Sequence, residues 1–355
     1  MQVDAWAFCQ PDQPMRAVRR EEHPGPAEVL VAVAGCGVCH TDLGFCFDGV
    51  PTRHPLPLTL GHEISGRVVA AGEDAGSWIG RDVIVPAVIP CGECAACRAG
   101  RGSICPRQVF PGNDVDGGFA THVRVPVRGL CPVPDLSDAR RNPLGLDLAA
   151  LSVIADAVST PFQAVERTGL GAGDVAVFVG VGGVGGFGVQ IAAARGARVA
   201  AIDVDPARLS AMRKHGAELA LEAGDPRELK KKVQAFAASH GTPTWRTFVF
   251  ETSGSKAGQE TAFALLGHGG HLSVVGYTPQ KAELRLSNLM ALDAVAAGNW
   301  GCAPELYPAV LELVLSGAVA VAPFIERRPL ASINETFTEL HERRLARRVV
   351  LVPGA

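Results

Sequence analysis

The chain has 355 residues, 47% hydrophobic and 19% charged, which is apolar enough for two domains of ordinary size and excludes wholesale disorder. Lys and Arg number 33 against 36 Asp and Glu, a formal net charge of −3, and no basic block offers a footprint for nucleic acid. Ten cysteines, with no basic-then-apolar leader at Met1-Gln2-Val3-Asp4-Ala5, predict a reducing, cytoplasmic location and thiols in metal or catalytic roles rather than disulfides.

In chain order, the first elements are short apolar runs broken by Gly and Pro, such as Val29–Val33 and Val83–Pro86. They predict a β-rich, partly barrel-like domain over residues 1–155. Two motifs interrupt it: Gly37-Val38-Cys39-His40-Thr41-Asp42 and Gly61-His62-Glu63. Cys39 and His62 can give a metal one sulfur and one nitrogen, with the Glu63 carboxylate beside them. Taken singly each is weak, because a lone Cys is often a small core residue.

Cys91-Gly-Glu-Cys94-Ala-Ala-Cys97, followed by Cys105, is a stronger signal. Two-residue gaps let successive thiolates turn toward one point, and four soft sulfurs suit a structural zinc with a closed tetrahedral shell. An iron–sulfur cluster uses four cysteines as well and stays open as an alternative. The zinc would staple a lobe at 91–105 that has little core of its own.

From 156 to 298 strand and helix patterns alternate, predicting a doubly wound parallel sheet. Val175–Val179 leads into Gly180-Val-Gly182-Gly-Val-Gly185, then a helical run to Ala194 and a strand Val199–Ile202 ending at Asp203, eighteen residues after Gly185. Val175 to Ala194 carries no charge over twenty residues, but six of them are glycine, so a strand, tight turn and helix fit better than a membrane span. The glycines allow close approach of a pyrophosphate to a helix N-terminus. Asp203 can accept from both adenosine ribose hydroxyls and would repel a 2′-phosphate, favouring NAD over NADP. Thr247–Gly254 and Leu272–Gly276 read as later strands; Arg213-Lys214 and Lys230-Lys231-Lys232 read as solvated helix faces. The tail, 299–355, ends in a strand at Arg348–Leu351.

The two metal motifs, the four-cysteine loop and the glycine turn, in this order, resemble the medium-chain, zinc-dependent alcohol dehydrogenase family over nearly the whole chain. The resemblance implies an α/β fold: a GroES-like catalytic domain at 1–155, a Rossmann domain at 156–298 that binds NAD, and a return to the first domain at 299–355. It also implies two zinc ions per chain and a homo-oligomer, dimer or tetramer, with no membrane or nucleic-acid partner. The activity it implies is NAD-dependent oxidation of a secondary alcohol to a ketone. Zinc-free quinone and enoyl reductases of the same fold lack both cysteine groups. A zinc- and dinucleotide-binding sensor without turnover is the reading from another class.

The family's catalytic zinc takes a third ligand just before the cofactor domain. The matching stretch here is Asp156-Ala157-Val158-Ser159-Thr160-Pro161-Phe162, so Asp156 takes that place beside Cys39 and His62; the other reading of Asp156 is a helix cap. By the same resemblance Thr41 takes the alcohol proton, Glu63 stands behind the zinc or ligates it transiently, and His40 and Arg348 contact the pyrophosphate. Arg347 next to Arg348 leaves that last match open. Arg208 falls near the adenosine ribose. The relay histidine of many members is replaced by Gly44, for which water or His54 would substitute. Within the family the sequence is most similar to members acting on an acyl-CoA, 6-hydroxycyclohex-1-ene-1-carbonyl-CoA, in anaerobic aromatic degradation. Ala87, where smaller-substrate members carry an aromatic, fits a wider pocket, and Arg16, Arg19, Arg20, Arg53 and Arg101 are basic candidates for CoA phosphates.

Overall fold

A computed structural model describes residues 1–354. Two compact units emerge: one from residues 1–159, 301–317 and 321 onward, the other from Thr160–Trp300 with Ala318–Ala320.

The first unit is built on the strand Glu28–Gly37, whose Val29, Leu30, Val31 and Val33 are all buried. β-Branched and apolar side chains suit this position because the strand is covered on both faces. It pairs antiparallel with Glu63–Ala71, His122–Pro126 and Arg348–Val352, and the sheet continues through Asp82–Val85 to Cys131–Pro132 and, on the other side, to Ile325–Pro329. Gln2–Phe8, Arg16–Glu21 and Leu58–Thr59 form a second, three-stranded sheet. The core between them includes Phe8, Val31, Ile64, Phe119, Phe337 and Leu351. The register sets the site: Gly37 lies opposite Glu63, so the chain leaves one strand toward Cys39 beside the point where it enters the other from His62. Gly37 is required there, since a Cβ would lie 2.1 Å from Oε2 of Glu63.

The second unit is a six-stranded parallel sheet in the order Ala217–Glu222, Arg198–Asp203, Val175–Val179, Thr247–Glu251, His271–Val274, Val295–Gly298. All five residues of Val175–Val179 are buried, as expected of a central strand with helices on both faces. Phe178 stacks on Phe250 of the next strand at a centroid distance of 4.6 Å. The uncharged run from Val175 therefore splits into a strand, a glycine turn and the helix Gly185–Ala194. Among the described residues no helix is long and apolar enough to cross a membrane.

The barrel-like and doubly wound architectures expected from the sequence are both present. One charge cluster departs from expectation. Lys231 and Lys232 are exposed, but Lys230 is part-buried and its Nζ donates to the carbonyl of Leu266, an amine lying along apolar surface with its tip on an acceptor.

Candidate active site and metal centres

Four ligand-bearing side chains from three separate segments converge in the first unit. One potential ligand atom from each of Cys39, His62, Glu63 and Asp156 lies within 4.8 Å of the others. Cys39 precedes the helix His40–Phe47, His62 precedes the strand Glu63–Ala71, and Asp156 ends the 3₁₀ turn Ala149–Ala155. Sγ of Cys39 is 3.8 Å from Oδ2 of Asp156, and Nε2 of His62 is 3.7 Å from the same oxygen. Ligands around one tetrahedral zinc would be separated by about 3.5 Å for sulfur and oxygen and about 3.3 Å for nitrogen and oxygen. The observed distances exceed these by only a few tenths of an ångström, so thiolate, imidazole and carboxylate fit a single divalent ion.

The electrostatics agree with that fit. Desolvation, the largest effect on His62, disfavours its charged form, yet Asp42, Asp156 and Cys39 together outweigh it and raise the imidazole well above its usual range. A pocket that pulls a buried imidazole toward protonation is a pocket of surplus negative charge, which a divalent cation relieves. Behind the ligands, Glu63 is fully buried and accepts from Nη1 of Arg348 at 2.6 Å; the same nitrogen donates to the carbonyl of Val38 at 3.2 Å. Burial pushes the Glu63 carboxyl up to about 7, with Arg348 pulling in the opposite direction. Oε2 of Glu63 is buried and has no hydrogen-bond partner.

Arg348, not the exposed Arg347, is built into this neighbourhood. Oγ1 of Thr41 lies 3.8 Å from Sγ of Cys39. His40 begins the helix and is exposed. His54 is also exposed; its amide donates to Asn113, and its Nδ1 is 2.6 Å from the carbonyl of Pro55. A Cβ at Gly44 would meet Val50 at 3.4 Å and Asp48 at 4.0 Å.

Two features escape motif matching. Asp42, fully buried, accepts from the Cys39 amide at 3.0 Å with one oxygen and from the Gly61 amide at 3.2 Å with the other. It thereby ties the two ligand segments together, 3.4 Å from Nδ1 of His62. The signal was present in the spacing, since an acidic residue three places after a helix cap is half of a capping box. The other feature is a contact of glycines: Gly61 has φ +96°, and a Cβ on Gly117 would lie 2.2 Å from its carbonyl oxygen. This brings the 110–119 loop against His62, whose ring meets Phe110 edge-on at 5.0 Å.

The second cluster is Cys91, Cys94, Cys97 and Cys105. Four sulfurs on one tetrahedral zinc would stand about 3.8 Å apart. Cys94 is 3.5 Å from Cys97 and 3.7 Å from Cys105, and Cys91 is 4.0 Å from Cys97. An iron–sulfur core divides its four thiolates between two irons or among four, which would spread at least some of the sulfurs further, so this spacing suits a single ion. Amides of Glu93 and Cys94 help lower Cys91 to about 6, while burial and neighbouring sulfurs raise Cys97 to about 11. Such a cluster gives up its first protons easily and its last to a metal.

In the second unit each glycine of the turn has its own role. Gly180 has φ +88° and a Cβ there would strike Ser253 at 2.4 Å; one on Gly185 would lie 1.9 Å from the Gly180 carbonyl oxygen. Gly182 is open, with Arg208 the nearest group at 3.5 Å, leaving room for a phosphate against the backbone. Asp203 accepts from the amides of Val181 at 2.7 Å and Asp205 at 2.9 Å. Nη1 of Arg208 lies 3.9 Å from Asp203.

Residues suggested for a CoA thioester are less free. Arg19 pairs with Asp4, Arg20 with Glu22, and Arg53 with Asp114. Ala87 is 3% exposed and packed, not open.

Comparisons with known proteins converge on one family. Residues 25–135 match the description "Alcohol dehydrogenase GroES-like domain" and residues 183–316 match "Zinc-binding dehydrogenase". The chain is 28% identical over 326 residues to an alcohol dehydrogenase of Geobacillus stearothermophilus, covering 91% of each chain. It is 29% identical over 338 residues to L-galactonate-5-dehydrogenase of Escherichia coli, covering 93% of each. Among solved structures, acetophenone reductase of Geotrichum candidum in complex with NAD superposes with a TM-score of 0.84 at 26% identity, covering 99% of this chain and 97% of that one.

Proposed function

Because the chain belongs to the zinc-dependent medium-chain alcohol dehydrogenases, an oxidoreductase family acting on CH–OH groups, we propose that it oxidises a secondary alcohol to a ketone with NAD⁺ as acceptor. The observation that carries this reading is the convergence of Cys39, His62 and Asp156 on one point within reach of the Thr41 hydroxyl.

Cys39, His62 and Asp156 are the residues that would hold the catalytic zinc, and Cys91, Cys94, Cys97 and Cys105 the structural one. When bound, the catalytic zinc supplies Lewis acidity toward the alcohol oxygen and the oxidised nicotinamide accepts the hydride. The protein's own contribution is placement and proton handling. Thr41 Oγ1 accepts the hydroxyl proton and passes its own to solvent along a route without a histidine at position 44. Asp42 holds the Cys39 and His62 segments in register. Glu63, paired with Arg348, fills the buried space behind the site with a charge-balanced pair. Asp203 binds the adenosine ribose, and Arg208 flanks it on the solvent side.

A small alcohol or polyol is the substrate class favoured by the named relatives, among them alcohol and L-galactonate dehydrogenases. The narrower reading, oxidation of 6-hydroxycyclohex-1-ene-1-carbonyl-CoA in aromatic degradation, is supported by the sequence resemblance alone. Homo-oligomerisation is supported by the edge strand Val295–Gly298, whose Val295 is 54% exposed, and by exposed Leu286 and Met290 in the segment that precedes it, an unpaired edge that a second copy would cover. A cytoplasmic location is supported by ten cysteines of which none is joined in a disulfide among the described residues.

Turnover with NAD⁺ on the cyclic thioester, simple cyclohexanols and sugar alcohols decides among these. Reduction of NAD⁺ with any of them supports the dehydrogenase, and the best substrate sets the class. No turnover with any alcohol, despite two bound zinc ions, would favour the sensor.

A further inference from the structure

Tyr307 is fully buried, yet its hydroxyl is fully used. It donates to the carbonyl of Ala155 at 2.5 Å and accepts from the amide of Ala87 at 3.3 Å. The Ala87 amide is also 3.3 Å from the Ala155 carbonyl, so phenol, amide and carbonyl form a closed triangle. Ala155 is the residue immediately before Asp156, and its carbonyl belongs to the peptide plane that leads into the Asp156 backbone.

Asp156 needs such a restraint more than the other two ligands do. Cys39 and His62 are anchored by the strands Glu28–Gly37 and Glu63–Ala71 and by Asp42 between them. Asp156 sits at the end of a 3₁₀ turn, with φ −142° and ψ −57°, outside any regular element. A buried phenol is costly unless its hydroxyl is satisfied, and here the acceptor it uses is the carbonyl of the residue next to Asp156.

We infer that Tyr307 is a positioning residue for the Asp156 carboxylate. By holding the 155–156 peptide plane against Ala87, it sets the oxygen that lies 3.8 Å from Cys39 Sγ and 3.7 Å from His62 Nε2. The inference rests on the reading of Cys39, His62 and Asp156 as a metal site. It assigns work there to the segment Gly301–Gly317, which supplies none of those ligands.

Tyr307→Phe removes the hydroxyl and keeps the ring volume, and the Ala155 carbonyl keeps the Ala87 amide and the Ser159 hydroxyl as donors. In the full-length zinc-loaded enzyme, chelator competition should show one of two zinc ions held about 10-fold more weakly, the lower end of the usual effect of groups that orient metal ligands. The four-cysteine zinc should compete as in the wild type and thereby reports that the variant is folded. Cobalt in the weakened site should show a shifted thiolate-to-metal absorption. Wild-type competition for both zinc ions together with an unchanged cobalt spectrum overturns the inference. If the wild type binds only the four-cysteine zinc, the metal-site reading itself fails.

A second measurement needs no variant. The sequence contains two tyrosines, Tyr277 and Tyr307, so labelling with 3-fluorotyrosine gives two fluorine resonances. Selective removal of the catalytic zinc should shift the resonance of buried Tyr307 and leave that of Tyr277, 61% exposed, in place. A Tyr307 resonance unmoved by zinc removal counts against the inference even if Tyr307→Phe does not fold.

Discussion

Nη1 of Arg348 lies 2.6 Å from Oε1 of Glu63, with the arginine side chain 6% exposed and the glutamate 0%. The pair joins the last strand of the first unit to the strand that begins at the metal site. Breaking it from one side leaves a buried carboxylate without its cation, which ordinarily costs about 3–5 kcal/mol. Burial already holds the Glu63 carboxyl up at about 7, so it can take up a proton instead of staying charged. Arg348→Ala is therefore expected to destabilise by about 3 kcal/mol, the low end of that range. Urea unfolding measures this; an unchanged midpoint would mean the pair contributes little.

Asp156 gives the sharpest change in metal content. Asp156→Ala removes one of the three proposed protein ligands, so zinc per chain should fall from two toward one and turnover by more than the about 100-fold lost when only a supporting group is removed. Asp156→Cys, a thiolate of the same charge, should retain the second zinc. Elemental analysis with steady-state rates checks both, and full activity in Asp156→Ala would exclude the carboxylate from the site.

Loss of the other ion should act on stability. Cys105 is the buried member of the four-cysteine cluster, and Cys105→Ser opens its tetrahedral shell. Zinc content should again drop by one, with a lower melting temperature. Turnover per folded molecule should survive, because Cys39, His62 and Asp156 are untouched. Equal loss of rate and stability would assign the lobe a direct part in the chemistry.

Cofactor choice is expected to turn on Asp203. Its carboxylate, held by the amides of Val181 and Asp205, is the group that would accept ribose hydroxyls and repel a phosphate. Asp203→Ser should lower kcat/KM for NAD⁺ by about 10–100-fold, corresponding to about 1.5–3 kcal/mol for a charged hydrogen bond. NADP⁺ should lose less or gain, with Arg208 beside the vacated position. An unchanged ratio of the two specificity constants would place discrimination elsewhere.

Much of this was legible in the residues. The buried run Val175–Val179, the three glycines after it and the acidic end of the next strand specify a dinucleotide turn, because backbone sterics and strand periodicity are local properties. The close-spaced cysteines at 91–105 specify a metal site for the same reason. Assignments that depended on distant partners were harder to read. Ala87 suggested an open pocket, but it is packed and its amide faces the Tyr307 hydroxyl. Three arginines suggested for phosphate contacts are paired with Asp4, Glu22 and Asp114.

By itself, then, the order of residues determined which elements form and which side chains are chemically able to bind metal or dinucleotide, since propensity, turn geometry and ligand type act over a few positions. Tertiary structure decided that Cys39, His62 and Asp156 meet at one point, that Asp42 ties two of them together, and that Arg348 faces Glu63 while Arg347 faces solvent. The meeting of Cys39 with His62, the tie through Asp42 and the facing of Arg348 and Glu63 follow from the pairing of Gly37 with Glu63 and of Val350 with Gly37, contacts between strands far apart in the chain whose register is fixed only when the shared core closes; Asp156 is brought there separately, at the end of the turn Ala149–Ala155.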